Sequence, residues 1–253
     1  MNSSIKRYEE YLNFKKKYIK HWGYGGDWKK GEIELLEDID LFSSAEKDAA
    51  KLIVSLGISA SDAQKRSLVG VRDETRWGVT VCEPVKTPSG HLGTFVRFIP
   101  WSQIIGGVSG IVVVPVLSDG RFVFIKTFRN ATRSWCLEFP RGIKDVGKDI
   151  TDLISEELSL EAGAVLDGKP VKLGQVEPDD GAVFSVVDIY KVEVKITKEI
   201  STETMEAISG ISILGKGEIK KLLKTQKYID SDGKKYEFKD GFTLSALALL
   251  LNN

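Results

Sequence analysis

Near Trp77 the apolar residues of this chain change their period, and that change divides what it can fold into. Before it, Tyr8, Tyr11, Leu12, Tyr18, Ile19 and Trp22 recur at three- and four-residue spacing, which draws one aromatic stripe along a helix. Gly23, Gly25 and Gly26 break that helix. A second is expected from an N-cap at Ser43 or Ser44 through Ala49, Leu52, Ile53 and Leu56 to Gly57, and a third after Ser59 or Ser61. After Trp77 the pattern is one of strands. Val79, Val81 and residues 91–98 flank Thr87-Pro88-Ser89-Gly90, a hairpin signature. Residues 111–117 and 121–128 flank Ser118-Asp119-Gly120, a second one. Residues 135–139, 169–176 and 183–194 read as further strands, and 150–162, 216–224 and 242–251 as helices. Strands outnumber helices without regular βαβ alternation, so the fold class is α+β. The chain parses into a helical N-terminal extension over 1–75, a β-hairpin subdomain over 76–105 and a main domain over 106–253.

Charge and rare residues exclude several functions. Lys+Arg 36 balance Asp+Glu 36, which argues against a general polyanion binder. The first 30 residues carry eight Lys/Arg against three acids, interleaved with aromatics as on nucleic-acid surfaces. Residues 31–48 carry seven acids and one Lys, so the blocks cancel and an amphipathic extension with solvated faces is the preferred reading. No nucleic-acid partner is expected. Two cysteines, Cys82 and Cys136, and two histidines, His21 and His91, exclude a disulfide framework, a Cys-rich zinc site and a multi-histidine metal site. No apolar run approaches 18 residues, and residues 1–20 are polar, so no membrane partner is expected and the location is read as cytoplasmic.

The segment from Gly142 to Ala164 carries the chemistry. On a helix over 150–162, at about 100° per residue, Ile150, Leu153, Ile154, Leu158 and Leu160 define an apolar face. Glu157 and Glu161, four apart, project into the middle of that stripe, whereas Asp149, Asp152 and Glu156 fall on the solvent side. Two carboxylates on a core-facing surface cost several kcal/mol unless a cation or buried Arg/Lys partners compensate. Oxygen-only ligands favour Mg2+ or Mn2+. The plainer alternative is a slightly rotated helix whose acids reach water at the edge of the stripe.

Gly142, Lys148, Glu156, Glu157, Glu161, Gly163 and Ala164 match the spacing of the Nudix box, a 23-residue pattern of Gly, five residues, Glu, seven residues, Arg-Glu, apolar, any, Glu-Glu, any, Gly, apolar. Upstream, Leu137-Glu138-Phe139-Pro140-Arg141-Gly142 resembles the Leu-Glu-Leu-Pro-Ala-Gly entry of ADP-ribose pyrophosphatases, and Phe128-Arg129 resembles their Tyr-Arg. Downstream, residues 240–247 resemble that family's closing Asp-x-x-Thr-x-x-Ala-Leu helix. The chain therefore resembles the ADP-ribose pyrophosphatase-like branch of the Nudix hydrolases over roughly residues 76–253, with a degenerate box. The resemblance implies a mixed β-sheet sandwiched between helices, Mg2+ or Mn2+, and a homodimer built through the hairpin at 77–98. It implies metal ligands at Glu157, Glu161 and the carbonyl of Arg141, and a catalytic acid on a later loop, for which Glu203 and Glu206 are the candidates. Ser185 stands where such a Glu would follow Pro178-Asp179-Asp180-Gly181.

Three box positions depart from the pattern. Lys148 stands for Glu and Glu156 for Arg, a reciprocal exchange that keeps the attraction of the family's structural brace. Leu160 replaces a carboxylate with no such compensation. Gly142-x4-Gly147-Lys148 mimics a phosphate-binding P-loop, but Asp149 follows where Ser or Thr is needed, and a carboxylate there repels phosphate. Arg129 suits bidentate phosphate binding, against a surface ion pair as the plainer reading. Glu138 is a third metal carboxylate or a supporting one, against a strand residue facing water. Asp179 and Asp180 read as turn formers. Two functions stay open: a metal-dependent hydrolase that cleaves the pyrophosphate of a nucleoside diphosphate derivative such as ADP-ribose, and a catalytically impaired Nudix fold that binds a nucleotide-type small molecule in a regulatory or scaffold role.

Overall fold

The structure, a computed structural model, describes residues 3–18, 22–144, 147–197 and 207–251. The chain forms two compact units, one of residues 1–107 with Asp179–Ser185, the other of Val108–Pro178 with 186–253.

The first unit joins helices α1 (Ser3–Lys17), α2 (Ile39–Ser55), α3 (Ala60–Ser67) and α4 (Trp101–Gly106) to strands β1 (Glu34–Leu35), β2 (Gly70–Glu74), β3 (Gly78–Lys86) and β4 (Leu92–Pro100). β3 is the centre: β4 pairs along one edge, and β2 and β1 share the other. The expected Thr87–Gly90 turn closes β3 onto β4, with Thr87 N–H bonded to the His91 carbonyl at 2.9 Å. The helical segment expected over 1–75 and this hairpin share one core, in which Tyr8, Tyr11, Trp22 and Phe42 from the helical part pack on Val79, Val81 and Ile99. α2 begins at an Asp38 cap, not at Ser43 or Ser44. The earlier start brings Phe42 and Ala45 into the core, and Asp38, as good a cap as serine, accepts the Asp40 N–H. α3 starts at Ser59, one of the two expected caps.

The second unit is built on a mixed sheet of ten strands in the order β10-β11-β5-β6-β7-β14-β13, with β12 on β6, β8 on β5 and β9 on β11. Its strands are β5 (Gly110–Val116), β6 (Phe122–Arg129), β7 (Ser134–Glu138), β8 (Arg141–Ile143), β9 (Ala164–Leu166), β10 (Val171–Val176), β11 (Val187–Ile196), β12 (Ile208–Leu214), β13 (Lys227–Ile229) and β14 (Lys235–Glu237). β5 and β11 run parallel, and every residue of β5 is buried, as a continuous apolar run in a sheet covered on both faces requires. Val112, Val114, Phe122 and Phe124 point to one face, under α6 (Lys216–Thr225) and α7 (Gly241–Leu251). Ile111, Val113, Val123 and Ile125 point to the other, under Leu153, Ile154 and Leu158 of α5 (Ile150–Glu157) and the turn that follows it. Each fully buried aliphatic side chain contributes roughly 1.5–3 kcal/mol to this three-layer core.

The hairpin expected around Asp119-Gly120 has its turn, with Leu117 N–H on the Arg121 carbonyl at 2.9 Å, but its strands part at once. β5 and β6 pair only at Val116 and Phe122. Beyond that, β6 takes β7 while β5 takes β8, so the chain from β7 to β8 crosses the opening between two strands of one sheet. Pro115 lies in that opening: Val113 N–H bonds the Pro140 carbonyl, and two residues on the same side of β5 offers no acceptor that a proline would fail to meet. Short strands β2, β8, β9, β12, β13 and β14 were not signalled by apolar runs.

Candidate functional site

The crossing segment, Glu138 to Gly142, gathers the polar groups. Glu138 ends β7 opposite Ile125, on the α5 side of the sheet, and is 1% exposed. A strand carboxylate buried this deeply needs cationic partners. Arg129, at the end of β6, supplies one: its Nε and Nη2 lie 2.8 and 2.7 Å from Glu138 Oε2. Arg141 Nη2 approaches the same oxygen at 3.4 Å, and Arg141 Nη1 reaches Asp240 Oδ1 at 3.4 Å. The Arg141 guanidinium also lies over the Phe242 ring, 4.9 Å from its centroid. Two arginines and two carboxylates thus alternate along one line. Glu138 does not face water, and its Oε2 accepts from both guanidinium groups.

The acids expected on the helix converge on the same segment. α5 starts from an Asp149 cap, whose carboxyl is held below its usual range by hydrogen bonds from the Thr151 N–H. After Glu157 the helix does not continue with α geometry: Leu158–Ala162 forms a π-helical turn that closes at Gly163 with φ of +59°, a conformation glycine adopts without a Cβ penalty. The wider turn changes the phase. Leu160, expected on the apolar face, is 40% exposed, while Glu161 is 3% exposed. Glu161 Oε2 accepts the Arg141 backbone N–H at 3.0 Å. Glu157, half-buried, lies across Gly142 so closely that a Cβ there would collide with its carboxylate. The glycine at 142 thus has a steric reason: that residue of β8 lacks a side chain where Glu157 seats. The two carboxylates meet β8 at adjacent residues.

Asp149, Asp152 and Glu156 are exposed, as the helical reading expects. Lys148 and Glu156 are brought together as an ion pair between the loop and α5. Asp179 acts as a turn former, its carboxylate accepting the Gly181 N–H at 3.2 Å, and Ser185 is buried. Glu203 and Glu206 lie outside the described residues. Cys136, on β7, has its thiol pushed up by burial, which disfavours the thiolate. Among the described residues no group of three His, Cys, Asp or Glu is positioned to hold a metal, so a divalent ion would rest on the Glu157–Glu161 pair and backbone or solvent oxygens. Among them, too, no helix is long and apolar enough to cross a membrane.

Two residues of the site were quoted in the sequence without a role. Asp240 and Thr243 cap α7: Asp240 Oδ2 accepts the Thr243 N–H at 2.8 Å and its hydroxyl at 2.9 Å, and Thr243 Oγ1 accepts the Phe139 N–H at 3.0 Å. An Asp followed three residues on by Thr, ahead of an apolar run, is a cap signature that marked the helix start but not its reach into the crossing segment.

By sequence the chain matches no family model and no curated protein. By structure it is similar to a protein described as the crystal structure of ADP compounds hydrolase, with a TM-score of 0.55 at 16% identity, covering 72% of this chain and 89% of that one. A likeness at that identity speaks for the fold: a large mixed sheet with helices, α+β in class, similar to that hydrolase.

Proposed function

We propose that the chain is a Nudix-type, metal-dependent hydrolase of a nucleoside diphosphate derivative, with an ADP-ribose-like compound as the substrate class. The observation that carries this reading is the meeting of Glu157 and Glu161 at consecutive residues of β8, two carboxylates on a helix end, one on the Arg141 N–H and the other against Gly142. The box spacing and the neighbour described as an ADP compounds hydrolase support it. Glu157, Glu161 and the Arg141 carbonyl would supply an all-oxygen donor set, which suits Mg2+ or Mn2+. When bound, such an ion neutralises diphosphate charge and activates a water. Arg129 and Arg141 bind the diphosphate oxygens, and Glu138 orients both guanidinium groups toward them. Glu203 or Glu206 takes the proton of the attacking water. Attack at one phosphorus breaks the bridging P–O bond, releasing a nucleoside monophosphate and a phosphorylated remainder. In this reading the protein works as a homodimer in the cytoplasm.

One feature favours a second reading. Leu160 presents an exposed apolar side chain where the box carries a carboxylate, as expected of a Nudix fold that binds a nucleotide without turnover. Calorimetry with Mn2+ on the wild type and on Glu157→Gln, together with AMP release from ADP-ribose, separates the two. Mn2+ binding that is lost in the variant, with AMP formed by the wild type, supports the hydrolase. Nucleotide binding indifferent to metal, without AMP, supports the silent fold.

A further inference from the structure

We propose that Asp240 is the positioning residue of this site, acting through Thr243 and Arg141 to fix the backbone against which Glu161 is set. The inference rests on the metal reading above only for its functional consequence; the coupling itself is a matter of hydrogen bonds. The segment from Phe139 to Arg141 is held at four points. Phe139 N–H is held by Thr243 Oγ1 at 3.0 Å, the Pro140 carbonyl by Val113 N–H at 2.9 Å, Arg141 N–H by Glu161 Oε2 at 3.0 Å, and the Arg141 guanidinium by Asp240 Oδ1 at 3.4 Å.

Asp240 governs two of the four. A threonine hydroxyl has one proton to give, and here it goes to Asp240 Oδ2, which leaves the oxygen lone pairs turned toward Phe139 N–H. The same carboxylate, through its other oxygen, holds the Arg141 guanidinium toward α7. Both effects bear on the short stretch that ends in the Arg141 N–H, the donor to a carboxylate that is 3% exposed. Asp240 is itself tied to α7 by the Thr243 N–H at 2.8 Å, so the start of that helix sets the reference point. Groups that orient a metal-binding carboxylate from behind are worth about 10- to 100-fold in metal affinity.

The test compares wild type with Asp240→Asn, Thr243→Val and Thr243→Ser in the full chain. Amide hydrogen exchange at Phe139 and Arg141 reads the coupling, and Mn2+ calorimetry reads its consequence. Asp240→Asn and Thr243→Val are expected to lose protection at both amides, by about tenfold, and to bind Mn2+ about tenfold more weakly. Thr243→Ser, which keeps the hydroxyl, is expected to stay within about twofold of wild type in both. Unchanged exchange at Arg141 in Asp240→Asn would overturn the proposal, as would equal loss in Thr243→Val and Thr243→Ser. A wild type that binds no Mn2+ would sink the metal reading alone, and the exchange data would still decide the coupling.

Discussion

Each unit buries one glutamate beside arginine, and the two clusters are put together differently. In the first unit Glu83, 1% exposed, takes the Tyr11 hydroxyl at 3.1 Å, the Trp22 indole N–H at 2.7 Å and the Arg97 guanidinium through both carboxylate oxygens. Arg97 is held further by the Trp22 carbonyl and lies between the Trp22 and Phe184 rings. Burial and the Glu83 carboxylate push the Tyr11 phenol well above its ordinary range. In the second unit Glu138 is buried as deeply and faces two arginines, one of which spans two acids at 3.4 Å each. The first arrangement spends every guanidinium contact on the protein. The second shares Arg141 between Glu138 and Asp240 through two contacts of 3.4 Å.

Glu83→Gln tests the first half of that contrast and carries the largest expected effect. It leaves Arg97 buried against an uncharged amide, and chemical denaturation should show a loss of about 3–5 kcal/mol. Glu138→Gln should cost less, about 1–3 kcal/mol, because Arg141 keeps its second carboxylate, Asp240. Its larger effect should fall on ADP-ribose affinity measured by calorimetry. If the two variants lose equal stability and nucleotide affinity is unmoved, the clusters are alike and the second has no binding role. Gly142→Ala sharpens the comparison at the carboxylate end: thermal unfolding should shift by only a few degrees, since Glu157 is a flexible side chain, while Mn2+ affinity falls about tenfold. The smallest effect belongs to the Lys148–Glu156 pair. Glu156→Lys should cost under about 1 kcal/mol, and Lys148→Glu added to it should restore the loss; additive damage would show that the ion pair braces nothing.

Much of the architecture is written in local pattern. The Thr87–Gly90 turn, the buried run that became β5 and the helix signals at 216 and 242 depend on neighbours in sequence, and each element stands where its pattern places it. What is decided by distant neighbours could not be read there. The Asp119-Gly120 turn specifies a hairpin, yet the arrival of β8 beside β5 parts its strands. Helical periodicity assumes 3.6 residues per turn, so a π turn at Leu158–Ala162 reverses the exposure of Leu160 while keeping Glu161 inside. The paired acids were legible because they sat on an apolar stripe. The roles of Asp240 and of the Arg141 side chain were not, because roughly a hundred residues separate those partners in the chain.

The seven residues from Asp179 to Ser185 belong to the first unit although the chain on either side belongs to the second. They place Val183 beside Phe98 and stack Phe184 on Arg97, with Phe98 N–H on the Ala182 carbonyl and Phe184 N–H on the Phe98 carbonyl, each at 2.9 Å. No single scission of the polypeptide therefore yields two intact pieces. A cut after Gly107 would hand the N-terminal fragment a sheet edge stripped of its donated segment and a guanidinium with one aromatic wall missing, so the two units are interleaved along the chain and not tandem.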